Sequence, residues 1–139
     1  MNLLALDTST EACSAAVYAA GTTFCEFALA PQAHTQLILP MVEKVLTAAD
    51  LTLADVDAIA VGRGPGAFTG IRIGVGVAQG LAMAADKSVI TVSTLAALAQ
   101  QAYQQHGATH VLAALDARMG EIYWGQYRCT EGIMQLVDE

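Results

Sequence analysis

Along this chain the period of apolar and polar positions changes several times, and each change marks an element. Leu3-Leu4-Ala5-Leu6 is an apolar run of strand type that stops at Asp7, and Thr8-Ser9-Thr10 follows as a polar turn. Cys13 to Tyr18 and Phe24 to Leu29 read as two more strands, with Gly21 marking the turn between them; spacing this close predicts an antiparallel meander. From Gln36 to Asp50 the period becomes helical. Leu37, Ile38, Leu39, Met41, Val42, Val45 and Leu46 cover more than half of that helix's circumference, more than one sheet contact requires. Pro40 is placed in or near its first turn, where backbone donors lack partners in any case.

A polar connector, Thr52 to Asp57, leads to the short apolar strand Ala58-Ile59-Ala60-Val61, and then to Gly62-Arg63-Gly64-Pro65-Gly66-Ala67-Phe68-Thr69-Gly70 and a helix over Ile71 to Ala85. Strand, glycine turn and helix is the arrangement that aims backbone N–H groups at an anion. The helix itself is unusual, because each interior glycine costs about 1 kcal/mol relative to alanine. Gly70, Gly74, Ala78, Gly80, Ala84 and Ala85 gather on one side with Ile73, Val77 and Leu81, which lets another backbone come close and predicts that this side meets the sheet. Arg72, Val75, Gln79 and Met83 are then left outward. Ser88 to Val92 is the next strand, Ser93 is a good N-cap for a helix over Leu95 to His106, and Gly107 is a good residue to end it.

After Val111 to Leu115 the opening pattern returns. Leu112-Ala113-Ala114-Leu115-Asp116, a turn and a strand to Tyr127 match Leu3-Leu4-Ala5-Leu6-Asp7, a turn and a strand to Tyr18. With Glu121 to Arg128 and Ile133 to Val137 as strands, the order is strand-strand-strand-helix-strand-helix-strand-helix, followed by a second set of three strands. The fold class is therefore α/β, with a first set of elements over residues 1–108 and a second set of strands over 109–139. Three strands without their helices should leave apolar edges or faces uncovered.

Composition narrows the function classes. A chain of 139 residues, 55% hydrophobic and 14% charged, supports a sizeable core. Thirteen acids against six bases give a net charge of −7, which speaks against gripping a phosphate backbone unaided. No apolar run reaches membrane-spanning length, and the N-terminus lacks the pattern of a signal peptide, so a cytoplasmic protein is expected. Cys13, Cys25 and Cys129 are odd in number and widely spaced, which fits free thiols better than a disulfide or zinc framework.

The motifs with chemical potential are weak ones. Gly62-x-Gly64-x-x-Ala67 satisfies a relaxed dinucleotide pattern, yet Ser93 stands where the ribose-binding acid belongs. A P-loop would need Gly-Lys-Ser/Thr, and the turn has no lysine. Gly107 separates His106 from His110, so the two do not share a helix face as a zinc pair would. His34 reads as a cap or interface residue. There is no Gly-x-Ser-x-Gly elbow. Asp7 and Asp116, at the ends of matching strands, either hold magnesium or a water, or simply cap the turns that follow them.

Four stretches, Leu6-Asp7-Thr8-Ser9-Thr10-Glu11-Ala12-Cys13, His34-Thr35-Gln36 through Pro40, Gly62 through Gly74, and Asp116-Ala117-Arg118-Met119-Gly120-Glu121, together resemble the bacterial TsaB family. These are accessory subunits for threonylcarbamoyladenosine in tRNA, formerly grouped with glycoproteases (YeaZ). The resemblance covers essentially the whole chain. It implies the fold of actin-like ATPases, two duplicated ribonuclease-H-like lobes, and family members continue past Glu139 to complete the second one, so this chain is expected to be a truncated form. It also implies a non-catalytic scaffold that binds the catalytic paralogue TsaD, with the small ATPase TsaE joining, in forming N6-threonylcarbamoyladenosine in tRNAs reading codons that begin with A. In TsaD a His-x-x-x-His pair holds a metal; by alignment it would fall here at Thr94 and Leu98, neither a useful ligand. No metal, no cofactor, no membrane, and tRNA contact only through the complex are expected. An ATP-dependent phosphotransferase is the alternative; a nucleotide would face Asp7, Thr8, Gly64, Gly66, Thr69, Asp116 and Arg118. A metallopeptidase is disfavoured by the missing ligands. The two wide apolar helices predict a partner surface of Leu37, Met41, Val45, Arg72, Val75, Gln79 and Met83, serving a homodimer alone and the TsaD heterodimer in the cell.

Overall fold

The computed structural model describes residues 1–139. Its elements in chain order are β1 (Leu3–Asp7), β2 (Ala12–Ala19), β3 (Thr22–Leu29), α1 (His34–Ala48), a short 3₁₀ turn (Leu53–Asp55), β4 (Ala58–Gly64), α2 (Phe68–Ala85), β5 (Ser88–Ser93), α3 (Thr94–His106), β6 (His110–Arg118), β7 (Glu121–Thr130) and β8 (Ile133–Asp138). The strands form a five-stranded sheet in the order β3-β2-β1-β4-β5 and a three-stranded sheet in the order β6-β7-β8. Contacts group the chain into two compact units, Met1–Arg63 with Ala67–Thr91, and Gly64–Gly66 with Val92–Glu139. Packing thus assigns α3 to the second set of strands, whereas the strand repeat divides the chain at residues 108 and 109.

In the first unit β1 pairs antiparallel with β2 and β2 with β3, the expected meander, while β1 and β4 run parallel with Leu3 opposite Ala58 and Leu6 opposite Val61. Alternation sends Leu4, Leu6, Cys13, Ala15 and Val17 to one face. There they meet Ile38, Met41, Val42, Val45 and Leu46 of α1 and Ala78 and Ala82 of α2. Each fully buried side chain of Val or Ile size contributes roughly 1.5–3 kcal/mol. The helix α1 starts two residues earlier than the periodicity predicts, since Ala33 caps it without a side-chain bond. Pro40 therefore sits in the second turn, not the first. The N–H it lacks would have bonded the Gln36 carbonyl, and both residues are exposed, so the missing bond lies on the solvent side of the helix. The helix ends where Asp50 adopts positive φ and Leu51 N donates to Leu46 O at 2.9 Å.

Helix α2 lies on the sheet through Gly70, Gly74, Ala78 and Ala82, as the small-residue side predicts. Gly80 and Ala84, grouped with that side in the sequence, point to solvent instead. At 18 residues and mean hydropathy 1.3, α2 also has the length and composition of a membrane-crossing helix, contrary to the run-length expectation. Its glycines and alanines raise the mean without forming a long bulky apolar run, and one such helix is equally a component of sheet-packed cores.

In the second unit β6, β7 and β8 form an antiparallel meander like the first, with a bulge between Asp116 and Arg118. Ala113, Tyr127 and Met134 pack beneath Leu95 and Ala99 of α3. Ser93 caps α3 through Ala96 N at 3.4 Å and Gly107 ends it at φ 68°, both as predicted. Gln100 ties the helix to the β7–β8 turn, its amide donating to Gly132 O at 2.9 Å and its carbonyl accepting from Met134 N at 2.8 Å. The opposite face leaves Leu112, Ile122, Trp124, Ile133 and Val137 exposed, so α3 covers one face of these strands and the other stays open in this chain, as expected.

Candidate functional site

The loop after β1 and the start of α2 interlock. Asp7 closes β1, and its Oδ1 accepts from Ser9 N at 2.7 Å and from Ser9 Oγ at 2.6 Å. This turn caps itself, which is the structural of the two roles open to Asp7 in the sequence. Thr8 and Ser9 are both buried. Thr8 Oγ1 donates to Gly70 O at 2.6 Å, and Ala67 N donates to Ser9 O at 2.7 Å. A Cβ on Gly70 would run into the Thr8 carbonyl, one on Gly74 would lie 2.5 Å from Thr8 Oγ1, and one on Gly62 would lie 2.6 Å from Asp7 Oδ2. Three glycines are thus needed to let strand end, loop and helix start close on each other. The N–H of Ala67, one of the donors a phosphate would use, is already committed to protein.

His34 completes this cluster. Although the sequence reads it as a cap or interface residue, it is buried and joins the first helix to the β1–β2 loop, with Nε2 donating to Thr10 O at 2.7 Å. Its Nδ1 is buried without a partner. Nearby, burial and then the charge of Asp7 push the Cys13 thiol up from its ordinary pKa, so it is no nucleophile at neutral pH. Of the residues read as nucleotide-facing, Asp7 and Thr8 are therefore brought together and spent on each other's surroundings. Gly64 is buried at φ 97°, Gly66 is half-buried and Thr69 is exposed in the first turn of α2. In the second unit Asp116 Oδ1 accepts from Arg118 N at 2.7 Å in an exposed hairpin, with Arg118, Met119 and Gly120 all at positive φ. No group of three or more His, Cys, Asp or Glu side chains is arranged to hold a metal ion.

The outward side of α2 is a second feature. Phe68, Arg72, Gly76, Gln79, Gly80 and Met83 are exposed and share about 120° of the helix at 100° per residue. Met83 is 85% and Phe68 73% exposed, and the Arg72 guanidinium lies 5.2 Å from the Phe68 ring centroid. Gly76 and Gly80 have nothing within 4 Å of where a Cβ would stand, so no contact inside the chain accounts for them. The predicted partner surface needs correction here. Met41 and Val45 are 7% and 1% exposed, inside the core, and Leu37 and Val75 are half-buried against it. The wide apolar arc of α1 is used up by three strands and by the flank of α2. Arg72, Gln79 and Met83 remain outward, joined by Phe68, and Leu39 of α1 is exposed as well. The sequence signal that could have found Phe68 is its place at the helix start, four residues before Arg72.

Residues 28–139 match the family model of TsaD, tRNA N6-adenosine threonylcarbamoyltransferase. The chain is 56% identical over 131 residues to the tRNA threonylcarbamoyladenosine biosynthesis protein TsaB of Escherichia coli, covering 94% of this chain and 57% of that protein. It is 53% identical over 126 residues to the TsaB of Haemophilus influenzae, covering 91% and 53%. Among solved structures, YeaZ from Pseudomonas aeruginosa superposes with a TM-score of 0.96 at 54% identity, covering 99% of this chain and 65% of that one. The chain therefore spans little more than half the length of these curated relatives.

Proposed function

This chain belongs to the family of TsaD, and within it to the TsaB proteins, and on that footing we propose that it is a non-catalytic scaffold subunit that binds a TsaD-type catalytic subunit, with a TsaE-type ATPase joining, for N6-threonylcarbamoyladenosine formation in tRNA. It works in the cytoplasm, pairs with its own copy when alone, and meets tRNA only through the complex. The observation that carries the scaffold role is the outward side of α2. It exposes Phe68 and Met83 around two open glycines, a surface on which another helix can approach closely. Support for a non-catalytic role comes from the residue chemistry. Thr94 and Leu98 stand where the resemblance places a metal-binding histidine pair, and the Asp7 carboxylate is engaged by Ser9.

The test is gel filtration and pull-down with the TsaD-type subunit, using Met83→Asp and Gly80→Leu. Met83 is exposed and a Cβ at Gly80 would meet nothing within 4 Å, so both variants should keep the native circular dichroism; Val75, half-buried, is unsuited to this purpose. Burying an unpaired carboxylate at such a surface costs several kcal/mol, enough to abolish association. Both variants should also fail to restore N6-threonylcarbamoyladenosine to tRNA in cells depleted of their own TsaB. Binding of both with unchanged affinity would place the interface elsewhere.

A further inference from the structure

Strand β3 closes the larger sheet on one side, with β2 as its neighbour and the other edge open. Natural edge strands are blunted by charged residues, proline, bulges or shortness. Here only one such device is present, the single carboxylate of Glu26. Thr22-Thr23-Phe24-Cys25-Glu26-Phe27-Ala28-Leu29 has eight residues, no proline and no basic side chain, and it keeps an unbroken register with β2 from Ala12 opposite Leu29 to Ala19 opposite Thr22. Its two faces differ. On the face away from α1, Phe27 and Leu29 are 62% and 74% exposed. On the α1 side, Glu26 lines a groove of about 510 Å³ whose other wall is Pro40, Glu43, Lys44, Thr47 and Ala48.

We propose that the open edge of β3 is a docking site for an extended segment of another protein, which adds as a sixth strand and alternates apolar with polar residues around one basic residue. Main-chain hydrogen bonds to the free edge would hold it, and side chains of opposite parity would fall on the two faces. The apolar set lies beside Phe27 and Leu29. The basic residue lies in the groove, whose lining carries two carboxylates, Glu26 and Glu43, against one ammonium, Lys44. A second copy of this chain is the weaker occupant, since β3 carries Glu26 and no cation, and two chains of net charge −7 repel. This site is separate from the outward side of α2 and does not depend on the scaffold reading.

The experiment titrates the capped heptapeptide Val-Thr-Val-Lys-Val-Thr-Val into isotope-labelled protein at low salt and follows backbone amide shifts. Two controls are the same peptide with glutamate at its centre and one with alternate amides N-methylated. Shifts should concentrate in Thr22–Leu29, the glutamate peptide should bind about two- to fivefold more weakly, as befits an exposed ion pair, and the methylated peptide should be silent. In the double variant Glu26→Gln, Glu43→Gln the lysine and glutamate peptides should bind alike, while Met83→Asp should change nothing. The proposal is overturned by any of three results: β3 amides that stay still up to about 2 mM peptide, an equal response to the methylated peptide, or a lysine preference that survives the double variant. Loss of the response in Met83→Asp would move the site to α2 and overturn it as well.

Discussion

Four glycines in α2 look alike in the sequence, and substituting alanine at each should split them into two classes of opposite sign. In a helix interior, Gly→Ala is worth about 0.8–1 kcal/mol in favour of alanine. At Gly76 and Gly80 a Cβ meets nothing within 4 Å, so that gain is realised in full. Each variant should raise the melting temperature of the isolated chain by roughly 3–6 °C. At Gly74 the same gain is opposed by a Cβ 2.5 Å from Thr8 Oγ1, a hydroxyl already held at 2.6 Å by the Gly70 carbonyl. Overpacking costs about 1–3 kcal/mol, and a displaced buried hydroxyl about 1–3 more, so against a gain of about 1 kcal/mol Gly74→Ala is destabilised by a net of roughly 1–5 kcal/mol. Gly70→Ala is worse, because the obstacle is the Thr8 backbone, which has no rotamer to change. The expected order of stability is Gly80→Ala and Gly76→Ala above the parent chain, then Gly74→Ala, then Gly70→Ala, read by thermal and urea unfolding with far-ultraviolet circular dichroism. A neutral Gly70→Ala, or a Gly80→Ala less stable than the parent by more than about 0.5 kcal/mol, would refute the assignment of the two sides of the helix.

Three further outcomes are accessible with simple reagents. Maleimide should label exposed Cys25 first and buried Cys13 only on unfolding, because burial and then the Asp7 charge hold the Cys13 thiol protonated; rapid native labelling of Cys13 would contradict this. The Asp55 carboxyl is held below its usual range by the Thr52 backbone N–H and then by the Thr52 hydroxyl, at 2.8 and 3.0 Å. Its contribution to stability is present above the unfolded carboxylate pKa and lost as pH falls through the lower folded value, so Asp55→Asn should flatten the acid limb of the stability–pH curve, and an unchanged limb would count against it. Gln100→Ala removes both bonds that tie α3 to the β7–β8 turn, and the Met134 amide should exchange roughly tenfold faster or more; unchanged exchange would show that the tie carries no stability.

Much of this fold is legible along the chain, for local reasons. The order of strands and helices follows from apolar periodicity, and both ends of α3 follow from Ser93 and Gly107. The sheet-facing side of α2 follows from Gly70, Gly74 and Ala78, since small residues at helical spacing admit a close neighbour. What escaped the sequence depends on contacts distant along the chain. The width of the apolar arc on α1 told that Met41 and Val45 needed cover but not whose, and the cover turned out to be the chain's own strands and α2. His34 reaches back to Thr10, and Gly62 matters because Asp7 stands beside it. Neither relation leaves a mark in local pattern. The early start of α1 has no local sign because Ala33 offers no capping side chain.

The parallel pairing of β1 with β4 bears on the order in which the first unit assembles. The β1–β2–β3 meander closes through the loop between Asp7 and Ala12 and the tight turn between Ala19 and Thr22, and such hairpins form within microseconds. Setting Leu3 beside Ala58 instead requires the meander, α1 and the connector to be in hand, with Asn2 and Asp57 bonding across a separation of 55 residues. Such long closures come late. Until they are made, the sheet face that α2 will cover has only α1 on it. During synthesis the emerging chain therefore carries an open apolar slot beside β1 until α2 is complete, and the side-chain-free contact between Gly70 and the Thr8 backbone is among the last to form.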